Sequence, residues 1–149
     1  MISVVQRVEK GNVTVNNEEI SSIGCGLVVL TALEKNDSEE DLSWMINKLL
    51  NLRIFSDEQG KFNLSVKDVK GELILVSQFT LAGNCKKGNR PSFDRAMDIE
   101  TANKTFNMFV EKTKTSYSNV KTGIFQQHMK VGLINDGPVT IILDSKNRL

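Results

Sequence analysis

The chain contains one long apolar run, which reads Cys25-Gly26-Leu27-Val28-Val29-Leu30-Thr31-Ala32-Leu33. The run has the length of a β-strand and shows no polar alternation, so both faces of this strand are predicted to be buried. A second strand of the same kind is predicted at residues 72–77, which read Glu-Leu-Ile-Leu-Val-Ser. These two runs are therefore predicted to be the buried strands of the fold.

Two amphipathic helices are predicted to accompany these strands. The first begins near Ser38, where acidic residues in the first turn favour the positive end of the helix dipole. Its apolar positions recur at the helical spacing i, i+3, i+4, i+7 and i+8 and are Leu42, Met45, Ile46, Leu49 and Leu50. The second helix follows its predicted cap Asp98, and its inward positions are Ile99, Ala102, Phe106, Phe109, Val110 and Thr113.

Shorter strands complete the predicted architecture. They are predicted at residues 2–8, 12–16, 52–55, 62–66, 120–125, 129–134 and 139–144, with turns at Gly11-Asn12 and at residues 135–138. Many strands with only two helices, not strictly alternating, predict an α+β fold with a mostly antiparallel sheet or barrel-like core. The 149 residues show no repeat and no linker, so residues 1–149 are predicted to form a single domain.

The composition excludes several classes of protein. Hydrophobic residues make up 40% and charged residues 25% of the chain, and no apolar run reaches the roughly 18 residues of a membrane helix. The first residues lack the layout of a signal peptide, so a cytoplasmic protein without a membrane partner is predicted. One histidine, His128, and two cysteines are too few for a His-based metal site or a disulfide framework. No metal and no cofactor are therefore predicted.

Positive charge is concentrated in one part of the chain. Residues 1–75 contain 8 Lys and Arg against 12 Asp and Glu, whereas residues 76–149 contain 11 against 6. The densest basic segment carries Lys86, Lys87 and Arg90. Such a segment on a nearly neutral chain suits a partner that is contacted at one end, such as the terminus of an RNA. A solvated basic loop accounts for the same composition equally well.

Two further segments carry more polar side chains than a scaffold requires. One buried strand ends in Ser77-Gln78-Phe79-Thr80-Leu81, and turn residues cluster at Asn135-Asp136-Gly137-Pro138-Val139-Thr140. Together with Val4-Val5-Gln6-Arg7-Val8 and Lys86-Lys87-Gly88-Asn89-Arg90-Pro91-Ser92-Phe93, these segments occur in the order and spacing of the D-aminoacyl-tRNA deacylases. Because four motifs agree in register over essentially the whole chain, the sequence closely resembles this family.

The resemblance implies a hydrolase with the fold of that family. Its members hydrolyse the ester bond of D-aminoacyl-tRNA, and also of glycyl-tRNA mischarged on other tRNAs, and so release the amino acid and free tRNA. They are homodimers with active sites at the subunit interface, and they reject L-aminoacyl substrates. The partners implied for this chain are therefore the 3′ end of aminoacylated tRNA and a second copy of the chain.

The resemblance also implies roles for individual residues. Gly137 and Pro138 match the family's Gly-cisPro motif, which enters the pocket of the other subunit and whose carbonyl groups exclude an L side chain. The opposite, catalytic wall matches Ser77, Gln78, Phe79 and Thr80, with backbone N–H groups near the ester carbonyl. In this family the attacking water is assisted by the 2′-OH of the terminal ribose. The remaining matches are Phe125 and Met129 for the terminal adenosine, Lys86, Lys87 and Arg90 for the tRNA, and Arg7 and Asn135 as supports of the Gly-Pro segment.

Two positions depart from the family pattern. The sequence reads Phe125-Gln126-Gln127-His128-Met129 where the family usually reads Phe-Gly-Ala, and Cys85 stands where a threonine is usual. Thr80 is expected to be a hydrogen-bonding pocket residue, with a nucleophile as the alternative, because no histidine in the matching motifs could activate its hydroxyl. His128 is expected to be a surface residue rather than a general base.

Two other functions remain open from the sequence. One is an editing domain that removes a mischarged L-amino acid, as in archaeal threonyl-tRNA synthetases. The other is a non-catalytic module that binds an RNA end. The motifs at residues 77–80 and 137–138 favour the deacylase, since pure binding needs no filter for chirality.

Overall fold

The computed structural model of the protein describes residues 1–147, and the predicted α+β class is confirmed there. Within that range the chain forms eight β-strands, two α-helices and one 3-10 turn. In chain order these are β1 (Ile2–Val15), β2 (Glu18–Ile23), β3 (Gly26–Ala32), α1 (Glu39–Asn51), β4 (Phe55–Ser56), β5 (Phe62–Leu64), β6 (Glu72–Ser77), the 3-10 turn (Phe79–Ala82), α2 (Ile99–Ser116), β7 (Val120–Thr122) and β8 (Lys130–Asp144).

The main sheet is mixed and is organised around β1. One edge of β1 pairs antiparallel with β3 and then with β2, while β8 runs antiparallel along its other edge. Parallel pairing continues from β3 to β6 and from β6 to β7. Lys121 of β7 donates to the carbonyl of Ser22 on β2 at 2.5 Å and forms an ion pair with Glu72 at 3.2 Å. These contacts draw the two ends of the sheet together, and the sheet curls into the predicted barrel-like shape.

The hydrophobic core lies on both faces of β3 and β6. Leu27, Val29, Leu73 and Leu75 face a large cluster to which both helices contribute, including Met45 of α1 and Phe109 of α2. The intervening Val28, Ile74 and Val76 face a second cluster inside the curled sheet. Because strand side chains alternate between faces, burial on both sides requires a continuous apolar run. The prediction from residues 25–33 and 72–77 is confirmed.

Both helices begin where the sequence predicts. The backbone N–H and hydroxyl of Ser38 donate to the carboxylate of Asp41 at 2.8 and 2.9 Å, which fixes the start of α1. The carboxylate of Asp98 accepts from the backbone N–H of Thr101 at 3.0 Å and caps α2. No helix among residues 1–147 is both long enough and apolar enough to cross a lipid bilayer.

Two predicted turns are wrong. β1 is continuous through Gly11, where a Cβ would lie 2.7 Å from the side chain of Val28, so the glycine permits close strand packing instead of a turn. The chain reverses at Asn16 and Asn17, whose φ angles of 51° and 63° suit a two-residue hairpin. β8 likewise continues through residues 135–138, because β1 pairs with it on both sides of a register shift near Val8.

Several predicted strands are shorter in the structure. The strand predicted at 52–55 is only β4 (Phe55–Ser56), that at 62–66 is β5 (Phe62–Leu64), and that at 120–125 is β7 (Val120–Thr122). The two short strands β4 and β5 pair only with each other, in a separate hairpin. Local apolar composition marks these segments, but the extent of each strand depends on its neighbours.

Candidate active site

A cavity of about 510 Å³ opens where β3 and β6 end. Both strands run in the same direction, so their carboxyl ends meet at one edge of the sheet, a place where such sheets commonly bind ligands. One side of the cavity is polar and includes Ser77 and Gln78. The other side is apolar and includes Leu33, Met97 and Phe125. The volume lies in the usual range for a small-molecule site.

The polar wall is formed where β6 passes into the 3-10 turn. The backbone N–H of Gln78 donates to the carbonyl of Thr31 at 2.7 Å, which extends the sheet pairing by one residue. The turn then closes through the bonds from Leu81 to Gln78 and from Gly83 to Thr80, at 3.2 and 3.0 Å. The first N–H groups of a helical turn have no partner inside it. The backbone N–H groups of Phe79 and Thr80 therefore have no partner inside the turn.

The side chains of Gln78, which lines the cavity, and Thr80, which is not among the lining residues, form a pair at the 3-10 turn. The Gln78 amide donates to the Thr80 hydroxyl oxygen at 2.5 Å. Thr80 therefore has its oxygen occupied and its hydroxyl proton free to donate. An amide is not a base, so this contact does not activate the hydroxyl for attack. Its geometry favours the hydrogen-bonding role predicted for Thr80, and that role stays a prediction.

The two residues predicted to bind adenosine line the same cavity as residues 77–79. Phe125 is half-buried and packs against Phe106 of α2, with ring centroids 6.2 Å apart. Met129 packs against the core cluster inside the curled sheet and also borders the cavity. The structure thus brings the aromatic, thioether and polar residues together at the end of one pair of strands.

The basic loop is attached to this wall by an aromatic contact. Asn84 and Ser92 exchange two backbone hydrogen bonds, at 2.8 and 3.1 Å, which close the loop at its base. Phe93 then meets Phe79 edge to face, with ring centroids 5.1 Å apart. The side chains of Lys86, Lys87 and Arg90 are exposed on the loop, and none forms an ion pair with any residue in the range 1–147.

An ion pair between the exposed Arg95 and the buried Glu34, which sequence reasoning missed, holds the far end of the loop. Arg95 pairs with Glu34, which is buried immediately after β3. The backbone N–H of Lys35 also donates to the carbonyl of Arg95 at 3.1 Å. The only sequence signal was an acidic residue, Glu34, directly after an apolar run. This pair ties the loop to the strand that forms the floor of the cavity.

Arg7 contacts the segment of β8 around Gly137 and Pro138, and its role as a support of that segment stays a prediction. Arg7 is buried and donates to the carbonyl of Asp136 at 3.0 Å and to the carbonyl of Ile54 at 2.7 Å. The peptide between Gly137 and Pro138 is cis. Gly137 has a φ of 134°, and a Cβ there would lie 3.0 Å from the Arg7 guanidinium. Only glycine fits this close approach.

Asn135 holds the same segment from the other side. Its side-chain oxygen accepts from the backbone N–H of Val139 at 2.9 Å, and its amide donates to the Thr140 hydroxyl at 2.8 Å. The Asn135 side chain thus connects the residues before and after Gly137 and Pro138. Arg7 and Asn135 together fix the backbone of this exposed segment.

The Gly-Pro segment does not border the cavity within one chain. Gly137 lies on β8 beside Arg7 of β1, and Arg7 is level with Leu73 on β6. Ser77 lies on β6, which is three strands from β8 in the order β8, β1, β3, β6, and it is four residues further along that strand than Leu73. With strands about 4.8 Å apart and residues about 3.3 Å apart along a strand, the separation is roughly 20 Å. The two predicted halves of the site therefore do not meet in a single chain.

Three residues of the cavity rim belong to the segment that departs from the family pattern. Gln126, Gln127 and His128 are exposed and line the cavity beside Phe125. Gln126 has a φ of 65°, a left-handed conformation that favours glycine. Ile99, predicted to face the core, is instead 62% exposed and lies at the cavity mouth. The helical pattern alone could not separate a core position from a cavity position.

Ionisable groups with displaced pKa values serve the fold rather than the cavity. Burial raises the pKa of Asp41, but hydrogen bonds from Lys146 and Ser38 lower it more, so it lies well below its ordinary value. The pKa of Glu72 is lowered chiefly by the backbone N–H of Gly24 and also by Lys121. Among the residues described, no three His, Cys, Asp or Glu side chains are grouped as ligands for a metal ion.

Residues 4–144 match the family model described as D-Tyr-tRNA(Tyr) deacylase. A D-aminoacyl-tRNA deacylase of Natranaerobius thermophilus is 50% identical over 149 residues, which is 99% of each chain. Another, from Thermosipho melanesiensis, is 52% identical over 147 residues and 98% of each chain.

Two solved structures have folds similar to that of this chain. The c-Myc DNA unwinding element binding protein superposes with a TM-score of 0.93 at 45% identity, over 97% of this chain and 98% of that one. A probable eukaryotic D-amino acid tRNA deacylase superposes with a TM-score of 0.84 over 95% of this chain and 97% of that one. At 16% identity, the second likeness concerns the fold alone.

Proposed function

Because this chain belongs to the D-Tyr-tRNA(Tyr) deacylase family and is thus a hydrolase, we propose that it removes D-amino acids from tRNA through the cavity at the end of β3 and β6. The observation that carries the proposal is the meeting of residues 77–79 with Phe125 and Met129 in that one cavity. The terminal adenosine binds against Phe125 and Met129. The ester then lies against the turn that begins at Phe79.

Fixed backbone donors supply the catalysis in this proposal. The N–H groups of Phe79 and Thr80 point to a ligand and stabilise the negative charge that develops on the ester carbonyl. Removing one such donor costs on the order of 10²–10³ in rate in other hydrolases. The 2′-OH of the terminal ribose assists the attacking water. Thr80 donates its hydroxyl proton to the substrate while Gln78 holds its oxygen.

Selection for D substrates comes from the Gly-Pro segment of a second copy of the chain. The separation of roughly 20 Å between Gly137 and Ser77 within one chain supports a site completed across a symmetric dimer. The carbonyl groups of Gly137 and Pro138 face the α-carbon of the substrate and exclude an L side chain. Glycine has no side chain to exclude, so mischarged glycyl-tRNA is also hydrolysed.

The basic loop contributes affinity for the rest of the tRNA. Lys86, Lys87 and Arg90 are exposed and unpaired among the described residues, and phosphate oxygens near the acceptor end are suitable partners. This contact is independent of sequence. The reaction takes place in the cytoplasm, where tRNA is charged.

A deacylation assay tests the proposal. Purified protein is mixed with D-Tyr-tRNA, L-Tyr-tRNA and Gly-tRNA, and the remaining ester is followed against the spontaneous rate. We expect rapid loss of the D and glycyl esters while the L ester survives. Preferred hydrolysis of an L ester would favour an editing domain instead. Binding of tRNA without hydrolysis of any ester would favour a module that binds RNA ends.

A further inference from the structure

The turn between β7 and β8 holds a glutamine in a conformation that favours glycine. The backbone N–H of Gln127 donates to the carbonyl of Ile124 at 3.3 Å, which closes the turn. Gln126 lies at its corner with a φ of 65°. Residues with a Cβ adopt this region at a cost, and such outliers concentrate where the side chain has a use. The turn is closed by a backbone hydrogen bond, so the fold does not require a side chain at Gln126.

The side chain of Gln126 is placed for a ligand rather than for the protein. It is exposed, it lines the cavity, and neither it nor the Gln127 amide has a hydrogen-bond partner within residues 1–147. A glutamine amide offers two donor hydrogens and one acceptor oxygen. An unpaired amide on a cavity rim can therefore recognise a group that presents a donor beside an acceptor.

The cavity pairs this amide with a flat apolar surface. Phe125 directly precedes Gln126, and Met97 and Ala102 complete the apolar side. A planar ring that stacks on these groups would present its polar edge to the rim. Adenine has such an edge, with the N6 amino donor beside the N7 acceptor, and a glutamine amide pairs with both at once.

We propose that Gln126 is a specificity-determining residue that reads the N6 and N7 edge of the terminal adenine of tRNA. This inference rests on the proposed function, because it assumes that the terminal nucleotide occupies the cavity. It adds a base-reading contact to stacking, and it gives a reason for the left-handed glutamine.

The test removes the amide and the N7 atom separately. Gln126→Gly removes the side chain and suits the backbone, and Asn17→Gly is the matched control, since Asn17 has a φ of 63° in the β1–β2 hairpin. Each protein hydrolyses D-Tyr-tRNA that ends in adenosine or in 7-deazaadenosine, which lacks N7. Thermal unfolding of each protein is measured in parallel.

We expect the wild type and Asn17→Gly to lose about tenfold in kcat/KM with the 7-deaza substrate, mainly through KM. Gln126→Gly should lose about tenfold with normal tRNA and show no further loss with the 7-deaza substrate, while its melting temperature is equal to or above that of the wild type. Equal kcat/KM of Gln126→Gly and wild type on both substrates would overturn the inference and leave the proposed function intact. A wild type that hydrolyses no D ester would overturn both.

Discussion

At the scale of single residues, the contact between Gln78 and Thr80 separates two chemical mechanisms. The Thr80 oxygen accepts from an amide at 2.5 Å and has no histidine, lysine or carboxylate as a partner among the described residues. A hydroxyl in this state is a good donor and a poor nucleophile, because nothing takes its proton. The backbone N–H groups beside it do not depend on the side chain.

We therefore expect Thr80→Ala to keep D-selective deacylation, with a rate lowered by about tenfold or less, the value of one hydrogen bond. Single-turnover hydrolysis of D-Tyr-tRNA measures it. The control is Thr115→Ala, which removes an exposed hydroxyl bonded to the Glu111 carbonyl on α2. If Thr80→Ala abolishes the reaction while binding tRNA normally, Thr80 is a nucleophile and the backbone mechanism is wrong.

At the scale of elements, the basic loop is attached to the polar wall of the cavity by several contacts. It is closed by the Asn84 and Ser92 pair, and it is fixed by Phe93 against Phe79 and by Arg95 against Glu34. Lys86, Lys87 and Arg90 are exposed and do not take part in these contacts. The residues that anchor the loop and the residues proposed to bind phosphate are therefore different and can be tested separately.

Replacing one loop cation should change the salt dependence of tRNA binding. We expect Lys86→Ala to lower the slope of log affinity against log salt concentration by about 1, because one phosphate contact and its released counterion are lost. Lys67→Ala, which removes an exposed lysine at a distance from the cavity, should leave the slope unchanged. Unchanged slopes for alanine variants of Lys86, Lys87 and Arg90 would mean that the loop does not contact phosphates.

The start of α1 gives a prediction for the dependence of stability on pH. The Asp41 carboxylate accepts from Ser38 and from Lys146, the latter at 2.6 Å, and its pKa is held below the ordinary value. Its stabilisation is therefore complete above about pH 4 and is lost as the pH falls through the lowered pKa. Asp41→Asn should cost about 1–2 kcal/mol of unfolding free energy at pH 7.

Urea unfolding of the wild type and Asp41→Asn between pH 2 and pH 8 measures this difference. The gap between the two proteins should shrink as the pH falls below about 4, because the Asp41 carboxyl of the unfolded chain takes up a proton there while the native carboxyl, with its lowered pKa, stays ionised. The control, Glu18→Gln, changes an exposed carboxyl on β2 and should follow the wild type throughout. A gap of constant size at every pH would contradict the role of the Asp41 charge.

Local patterns predicted the buried strands and both helices but not the longest strands. The alternation of Leu27, Val28 and Val29 between two core clusters depends only on the chain's own apolar run. By contrast, Gly11 was predicted as a turn residue because its contact with Val28 cannot be predicted from local sequence, and β8 continues through residues 135–138 because β1 pairs with it on both sides of that segment. For the site, the motifs pointed to Ser77, Gln78 and Phe79, which line the cavity, whereas Glu34 and Gln126 depend on contacts across the fold.

At the scale of the whole molecule, the proposed site is completed by a second copy of the chain. β8 pairs on one edge with β1, and within the described residues its other edge has no partner along its 15 residues. Ile134 and Ile142 on this strand are 44% and 60% exposed. A long unpaired edge with exposed apolar side chains is suited to cover by another protein surface. The proposed dimer supplies such cover and brings the Gly-Pro segment to a cavity.

Mixing two inactive variants tests whether the site is shared. Phe79→Pro removes one backbone donor at a position where a helical turn tolerates proline, and Gly137→Ala places a Cβ against Arg7. After the two are unfolded and refolded together, half of the dimers contain one chain of each kind. One of the two sites in each mixed dimer is intact, so roughly a quarter of wild-type activity should return. Failure of activity to return in the mixture would contradict a shared site. So would sedimentation of the fully active wild type as a monomer.

The pairing of β1 with β8 also has a consequence for biosynthesis. Ile2 lies opposite Asp144, and Thr14 lies opposite Lys130, so β1 pairs with a strand that is synthesised about 116–142 residues later. At translation rates of about 5–20 residues per second, β1 waits roughly 6–28 s for this partner. Until then its edge is exposed to solvent and to other nascent chains. The sheet is therefore completed only after residues 130–144 have been synthesised, and a chain truncated before residue 130 leaves this edge of β1 without its partner.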